Sequence, residues 1–169
     1  LKVLVSDNKQ EIEMAIISLN NFNKVRQELC ESTFLEADEM YRNELGELKA
    51  NGDDNSIILF NPKWHIGIVG IVASKLVEKY YKPVFLMTYS EETKQVRCSA
   101  RGIEEVNIYD VLSANGELFD GYGGHALAGG LSFSTENVAF EDVKKALNKT
   151  INEILQGKTL TPILHVDLN

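Results

Sequence analysis

Cysteine is scarce in this chain. Cys30 and Cys98 are the only two, and so distant a pair makes neither a cysteine-based zinc site nor a disulfide framework. Both are expected as reduced, mostly buried thiols. Histidine is nearly as rare, and His65, His125 and His165 are widely separated. A two-metal nuclease centre needs several Asp and His side chains converging on cations about 3.5–4 Å apart; no such cluster is written here, so no metal site is expected. Positive charge is also short, with 17 Lys and Arg against 25 Asp and Glu and a formal net charge of −8. Phosphate affinity depends on concentrated cations, so contact with nucleic acid must be local. No apolar run is long enough for a membrane span and none reads as a signal peptide, giving the expectation of a soluble, cytoplasmic protein without membrane partners. A nucleophile elbow, a Walker loop and a dinucleotide fingerprint are all missing.

What is present suits one α/β domain with an appendage. The apolar fraction is 44% of 169 residues, enough for a normal core. Asp7 and Gln10 read as a capping box opening a helix that runs to about Leu48, with a break near Ser32-Thr33. Its apolar side is formed by Ile12, Ile16, Leu19, Cys30, Ala37 and Tyr41. The polar stretch 50–56 is the clearest boundary, and Asp53-Asp54 belong to its turn chemistry. Strands are expected at 56–60, 84–89, 95–101 and 130–134, with helices at 65–80, 107–115 and 137–156. Strands alternating with helices predict an α/β fold, a mixed β-sheet flanked by helices and preceded by a long helical arm. The chain starts at Leu1 and ends in an unfinished strand pattern, the expectation for a piece of a longer protein.

Three features carry candidate chemistry. Alternation along 95–101 puts Gln95, Arg97, Ser99 and Arg101 on one face and Val96, Cys98 and Ala100 on the other. Ser99 and Arg101 lie about 7 Å apart along the strand, a spacing at which a hydroxyl and a guanidinium can hold neighbouring phosphate oxygens; a simply solvated polar face is the alternative. The run 121–130 places Gly123, Gly124 and His125 together, where a backbone without Cβ atoms admits a ligand and an imidazole can donate to it; an ordinary glycine turn is the alternative. Arg26 continues the apolar side of the first helix and needs an anionic partner, either a carboxylate or a phosphate. Gly67, Gly70 and Ser74 form a small-residue stripe of mainly architectural meaning, and His65 before it is expected chiefly to fix its loop.

The segments "NPKWHIGIVGIVASKL", "VRCSARG" and "FDGYGGHALAGGLSF" resemble, in order and spacing, the DHH-associated domain of the RecJ family of single-strand-specific exonucleases, in the DHH phosphoesterase superfamily. "LNNFNKVRQ" looks like that family's linking helix, and "ILHVDLN" like the segment entering its oligonucleotide-binding domain. The resemblance implies three parts: an arm over 1–50 leading from a catalytic DHH domain, a substrate-binding domain over 55–157, and an exit segment over 158–169. It implies a 5′→3′ exonuclease of single-stranded DNA serving repair and recombination, with Mn²⁺ or Mg²⁺ held by the DHH domain and none by these residues. Ser99, Arg101, Gly123, Gly124, His125 and Arg26 would bind DNA, and no residue here would be catalytic. Single-strand-binding protein and a helicase are partners implied by the family. Gly-Gly-His is shared with DHH oligoribonucleases and nucleotide phosphatases, which form the alternative reading.

Overall fold

The structure, a computed structural model, describes residues 9–156 and residue 160. Asp7 of the expected capping box, Gly157, His165 and the exit segment lie outside the described residues.

The chain opens with α1 (Lys9–Asn51), a single uninterrupted helix of roughly 65 Å at 1.5 Å per residue. The expected break at Ser32-Thr33 is absent. Ser32 Oγ donates to the Leu29 carbonyl and is accommodated inside the helix, while Thr33 is buried. Only the second half of α1 is packed, through Cys30, Thr33, Ala37, Asp38 and Tyr41. Ile16, Leu19 and Phe22 in the first half are exposed. The single apolar stripe expected from Ile12 to Tyr41 therefore divides. Its later part meets the domain, whereas its earlier part has no element of the described residues opposite it.

Five strands follow: β1 (Ile57–Phe60), β2 (Val84–Ser90), β3 (Gln95–Arg101), β4 (Gly121–Gly124) and β5 (Ala128–Phe133). Their spatial order is β1-β2-β3-β5-β4, parallel between β1 and β2 and antiparallel elsewhere. The mixed sheet and long arm agree with the fold expected from sequence. Between β1 and β2 runs α2 (Ile66–Tyr80), ended by Tyr81 in the left-handed conformation. Between β3 and β4 lies α3 (Ile108–Ala114), whose N-cap Asn107 accepts from Tyr109 and Asp110. After β5 comes α4 (Phe140–Leu155).

The glycine run corrects the sequence reading. Residues 121–124 form an edge strand rather than a loop, and β5 begins at Ala128 rather than Gly130. Glycine weakens a strand by itself; here pairing with β5 and close packing against α3 hold it.

Strand alternation builds two cores. On one face, α1 and α2 cover Ile57, Leu59, Val84 and Leu86. On the other, α3 and α4 cover Ile58, Phe85, Cys98, Ala100, Leu131 and Phe133. The Cys98 thiol is pushed well above its ordinary pKa by burial, a shift that Arg101 only partly offsets; it is inert packing material.

Polar pins fix the arm to the domain. Asp38 is buried on α1 and meets Lys79 Nζ at 2.6 Å, Tyr80 Oη at 2.7 Å and Arg42 at 3.0 Å. Burial alone would raise its pKa, but donation from Lys79 and Tyr80 and the two cations hold it below the ordinary value. Glu36 receives Asn61 Nδ2 at 2.7 Å and Trp64 Nε1 at 2.8 Å. The turn at 52–56 is tied to α4, where Asn55 donates to Asn152 at 2.7 Å and Ser56 donates to Asn148.

Candidate nucleic-acid interface

Each position of the α2-side face follows from strand register. One cross-strand row reads Leu59, Leu86, Ser99, Gly130 and Gly123. The next reads Ile57, Val84, Arg101 and Ala128, and His125 joins it where its N–H donates to the Ala128 carbonyl at 2.6 Å. The helices cover the β1–β2 end of these rows. The face beyond β3 is a shelf floored by glycine and small polar residues. Ser99, Arg101, Gly123 and His125 are thus brought into two adjacent rows, with about 10 Å between the β3 and β4 backbones.

Ser99 and Arg101 are half-buried where α2 crosses β3. A Cβ on Gly70 would lie 2.8 Å from Arg101 Nη2 and 3.1 Å from Ser99 Oγ. Within the small-residue stripe on α2, Gly70 therefore makes room for these two side chains. Arg101 Nη1 donates to the Ala100 carbonyl at 2.8 Å, which orients the guanidinium and leaves donors over for an anion. Among the described residues the Ser99 hydroxyl has no hydrogen-bond partner, so it too can turn to a ligand. Gly70, which sequence reading took as architectural, borders the two candidate residues; only the helix-on-sheet geometry reveals these neighbours.

The two glycines of Gly123-Gly124 do different things. A Cβ on Gly123 would meet nothing within 4 Å, so its face of the strand is open to close approach. Gly124 has φ of +156°, and a Cβ there would lie 2.4 Å from the Ala128 carbonyl oxygen. Its glycine is required by the chain's own hairpin. The imidazole of His125 is exposed, but its amide is spent on the turn to Ala128 and cannot serve a ligand. His65 caps α2, Nδ1 accepting from the Gly67 amide at 3.0 Å, as expected of a loop-fixing residue. The positive end of the α2 dipole consequently lies beside the shelf, at Ile66.

Arg26 stands apart. The stripe that was to bury it is solvent-exposed at this level, and Arg26 Nη2 donates to Asn23 Oδ1 at 2.9 Å, one turn back. It lines a separate groove between α1 and α2 with Gln27, Cys30 and Ile71. Its requirement for an anionic partner, argued from burial, disappears. Among the described residues no three His, Cys, Asp or Glu side chains converge, so they supply no donor set for a divalent cation. No helix among them is long and apolar enough to cross a membrane.

The mixed sheet thus sets a half-buried serine and arginine of β3 and the glycines of β5 and β4 beside a helix N-terminus. The chain belongs to the DHHA1 domain family, which it matches over residues 53–157. It is 31% identical over 166 residues to the single-stranded-DNA-specific exonuclease RecJ of Bacillus subtilis, covering 98% of this chain and 20% of that protein. Against RecJ of Haemophilus influenzae it is 28% identical over 172 residues, covering 99% of this chain and 29% of the relative. The crystal structure of Thermus thermophilus RecJ in complex with Mg²⁺ superposes on 90% of the chain and 22% of that structure, with a TM-score of 0.71 and 25% identity. The chain thus spans less than a third of the curated relatives it matches.

Proposed function

We propose that this chain is the substrate-gripping part of a RecJ-type exonuclease that degrades single-stranded DNA 5′→3′ in repair and recombination in the cytoplasm. The observation that carries the reading is the pair Ser99 and Arg101, set side by side beneath Gly70 with donors to spare. Gly123 and His125 complete the grip two strands away. Strand spacing separates the two sides by about 10 Å, enough for a nucleotide to lie between them. Arg101 can hold a phosphate bidentately, Ser99 adds a single donor, and Gly123 lets the sugar-phosphate backbone come close. Such positioning of a substrate contributes to rate without any chemical step on these residues.

The hydrolytic centre belongs elsewhere in the longer protein. Divalent cations of the kind bound by the solved RecJ structures, Mg²⁺ or Mn²⁺, do not fit the described residues. Division into an arm over 1–50, a binding domain over 55–157 and an exit over 158–169 is part of the same reading. So are single-strand-binding protein and a helicase as partners.

The test is made in the full-length protein carrying this segment. Arg101→Ala should lower exonuclease activity on labelled single-stranded DNA by about ten- to a hundred-fold, the worth of a charge-assisted hydrogen bond. Its melting temperature should stay at the parental value. Parental kinetics in a folded variant would return Ser99 and Arg101 to a solvated polar face. The isolated segment should be inert with either cation; degradation that survives repurification and disappears in Arg101→Ala would place a catalytic centre here after all.

A further inference from the structure

Arg97 shares the face of Ser99 and Arg101. It lies two residues along β3 from Ser99, about 7 Å at the backbone. Its row runs Thr88, Arg97, Ser132 and Gly121. Thr88 is buried and donates to the Trp64 carbonyl at 2.6 Å, so that end of the row is closed. From Arg97 outward the row is open. A groove of about 340 Å³ is lined here by Ile66, Arg97, Ser99, Gly121, Gly130 and Ser132.

The electrostatics of this groove are asymmetric. Arg97 is exposed, and among the described residues its guanidinium has no hydrogen bond or ion pair. Arg42 on α1, by contrast, is paired with Asp38 at 3.0 Å. The carboxylate of Asp120 sits at the outer end, where it accepts from Gln95 Nε2 at 2.8 Å. Arg97 therefore has a glycine-lined floor on one side, the Ser99 hydroxyl on another, and a negative group beyond it. Two glycines in the lining remove the side chains that would otherwise hold a polynucleotide away from the guanidinium.

We propose that Arg97, with Ser132, forms a second phosphate subsite that takes the next internucleotide phosphate of the strand gripped at Ser99 and Arg101. This rests on the proposed function, and it gives the interface a direction along β3. The strand runs from the Arg101 row through Ser99 to the Arg97 row, and Asp120 with Gln95 ends the track by disfavouring a further phosphate. The step along β3 sets the register, since Arg97 stands one two-residue repeat beyond Ser99, the near edge of the first phosphate site.

The experiment measures binding of a fluorescent oligothymidylate to the full-length protein across a salt series, in Ca²⁺ to slow cleavage. Three variants are compared with the parent: Arg97→Ala, Arg97→Lys and Arg101→Ala. Arg97→Ala should weaken binding about ten-fold at low salt and flatten the log–log salt slope by about 0.7, the value for one phosphate contact on a single strand. Arg97→Lys should recover most of the slope, because the charge remains, with part of the affinity lost with the planar fork. A folded Arg97→Ala variant with parental affinity and slope, while Arg101→Ala loses both, overturns the second subsite and leaves the proposed function standing. If neither arginine changes the slope, the shelf does not bind the strand and both readings fall.

Discussion

The two faces of β3 lie one residue apart and have opposite fates. On one face Val96, Cys98 and Ala100 are sealed by α3 and α4. On the other, Arg97 is open to solvent and Ser99 and Arg101 are only partly covered. The same contrast runs across the sheet. The row Ile58, Phe85, Ala100, Gly129 and Gly124 stays packed as far as Gly129, where a Cβ would collide with Ile108 and Leu112 of α3, and ends at an exposed Gly124 whose Cβ would collide with its own hairpin backbone. The row Leu59, Leu86, Ser99, Gly130 and Gly123 passes from apolar to polar to bare backbone, ending where a Cβ meets nothing. One face is spent on stability and the other is left available for a ligand. A period of two residues lets one strand do both without compromise.

The contrast is broken most severely at Gly124. Gly124→Val should destabilise the domain by roughly 3–5 kcal/mol, through the clash with the Ala128 carbonyl and the unfavourable φ, read from urea unfolding. A normally stable valine variant would mean that the closed face yields easily at this hairpin. Leu147→Ala, fully buried in α4, should cost about 3 kcal/mol through lost burial and the cavity left behind, with DNA binding unchanged once the protein is folded.

Asp38 sharpens the comparison from the arm. Its folded pKa lies below the ordinary carboxylate value, so near pH 4 the unfolded chain binds more protons than the folded one. Its stabilising contribution is complete above about pH 4 and is lost as pH falls through the folded value. Asp38→Asn should lower stability by about 2 kcal/mol at neutral pH and flatten the acid limb of the stability curve. An acid limb of parental steepness would show that Asp38 does not couple α1 to α2 through its charge.

The smallest effect on stability belongs to the open face. Gly123→Ala adds a methyl group into empty space and should shift unfolding by less than about 1 kcal/mol, while raising KM for single-stranded DNA in the full-length protein several-fold. Parental KM would mean that no ligand backbone approaches this strand. Paired with Gly124→Val, it separates the two members of one dipeptide.

Much of this was legible from sequence because short-range rules sufficed. The β3 bounds and its polar and apolar faces followed from alternation alone, and His65 was expected as the loop-fixing residue it proves to be. The glycine run was misread as a loop because strand propensity says nothing in favour of Gly-Tyr-Gly-Gly. Its strand character comes from a partner, β5, and from packing on α3. Arg26 failed for the opposite reason: helical periodicity correctly put it on an apolar stripe, but periodicity cannot state whether anything lies opposite.

By itself the sequence determined the element types outside the glycine run, the mixed α/β class and the chemical identity of the β3 faces, all consequences of 2.0- and 3.6-residue periods acting within single segments. Tertiary structure alone decided that α2 crosses β3 at Gly70, that Gly123 is open while Gly124 is closed, and that Arg26 stands apart from Ser99 and Arg101. Each of these depends on which segments become neighbours. Pairing and crossing are fixed by burial summed over the whole domain, and no local period records that sum.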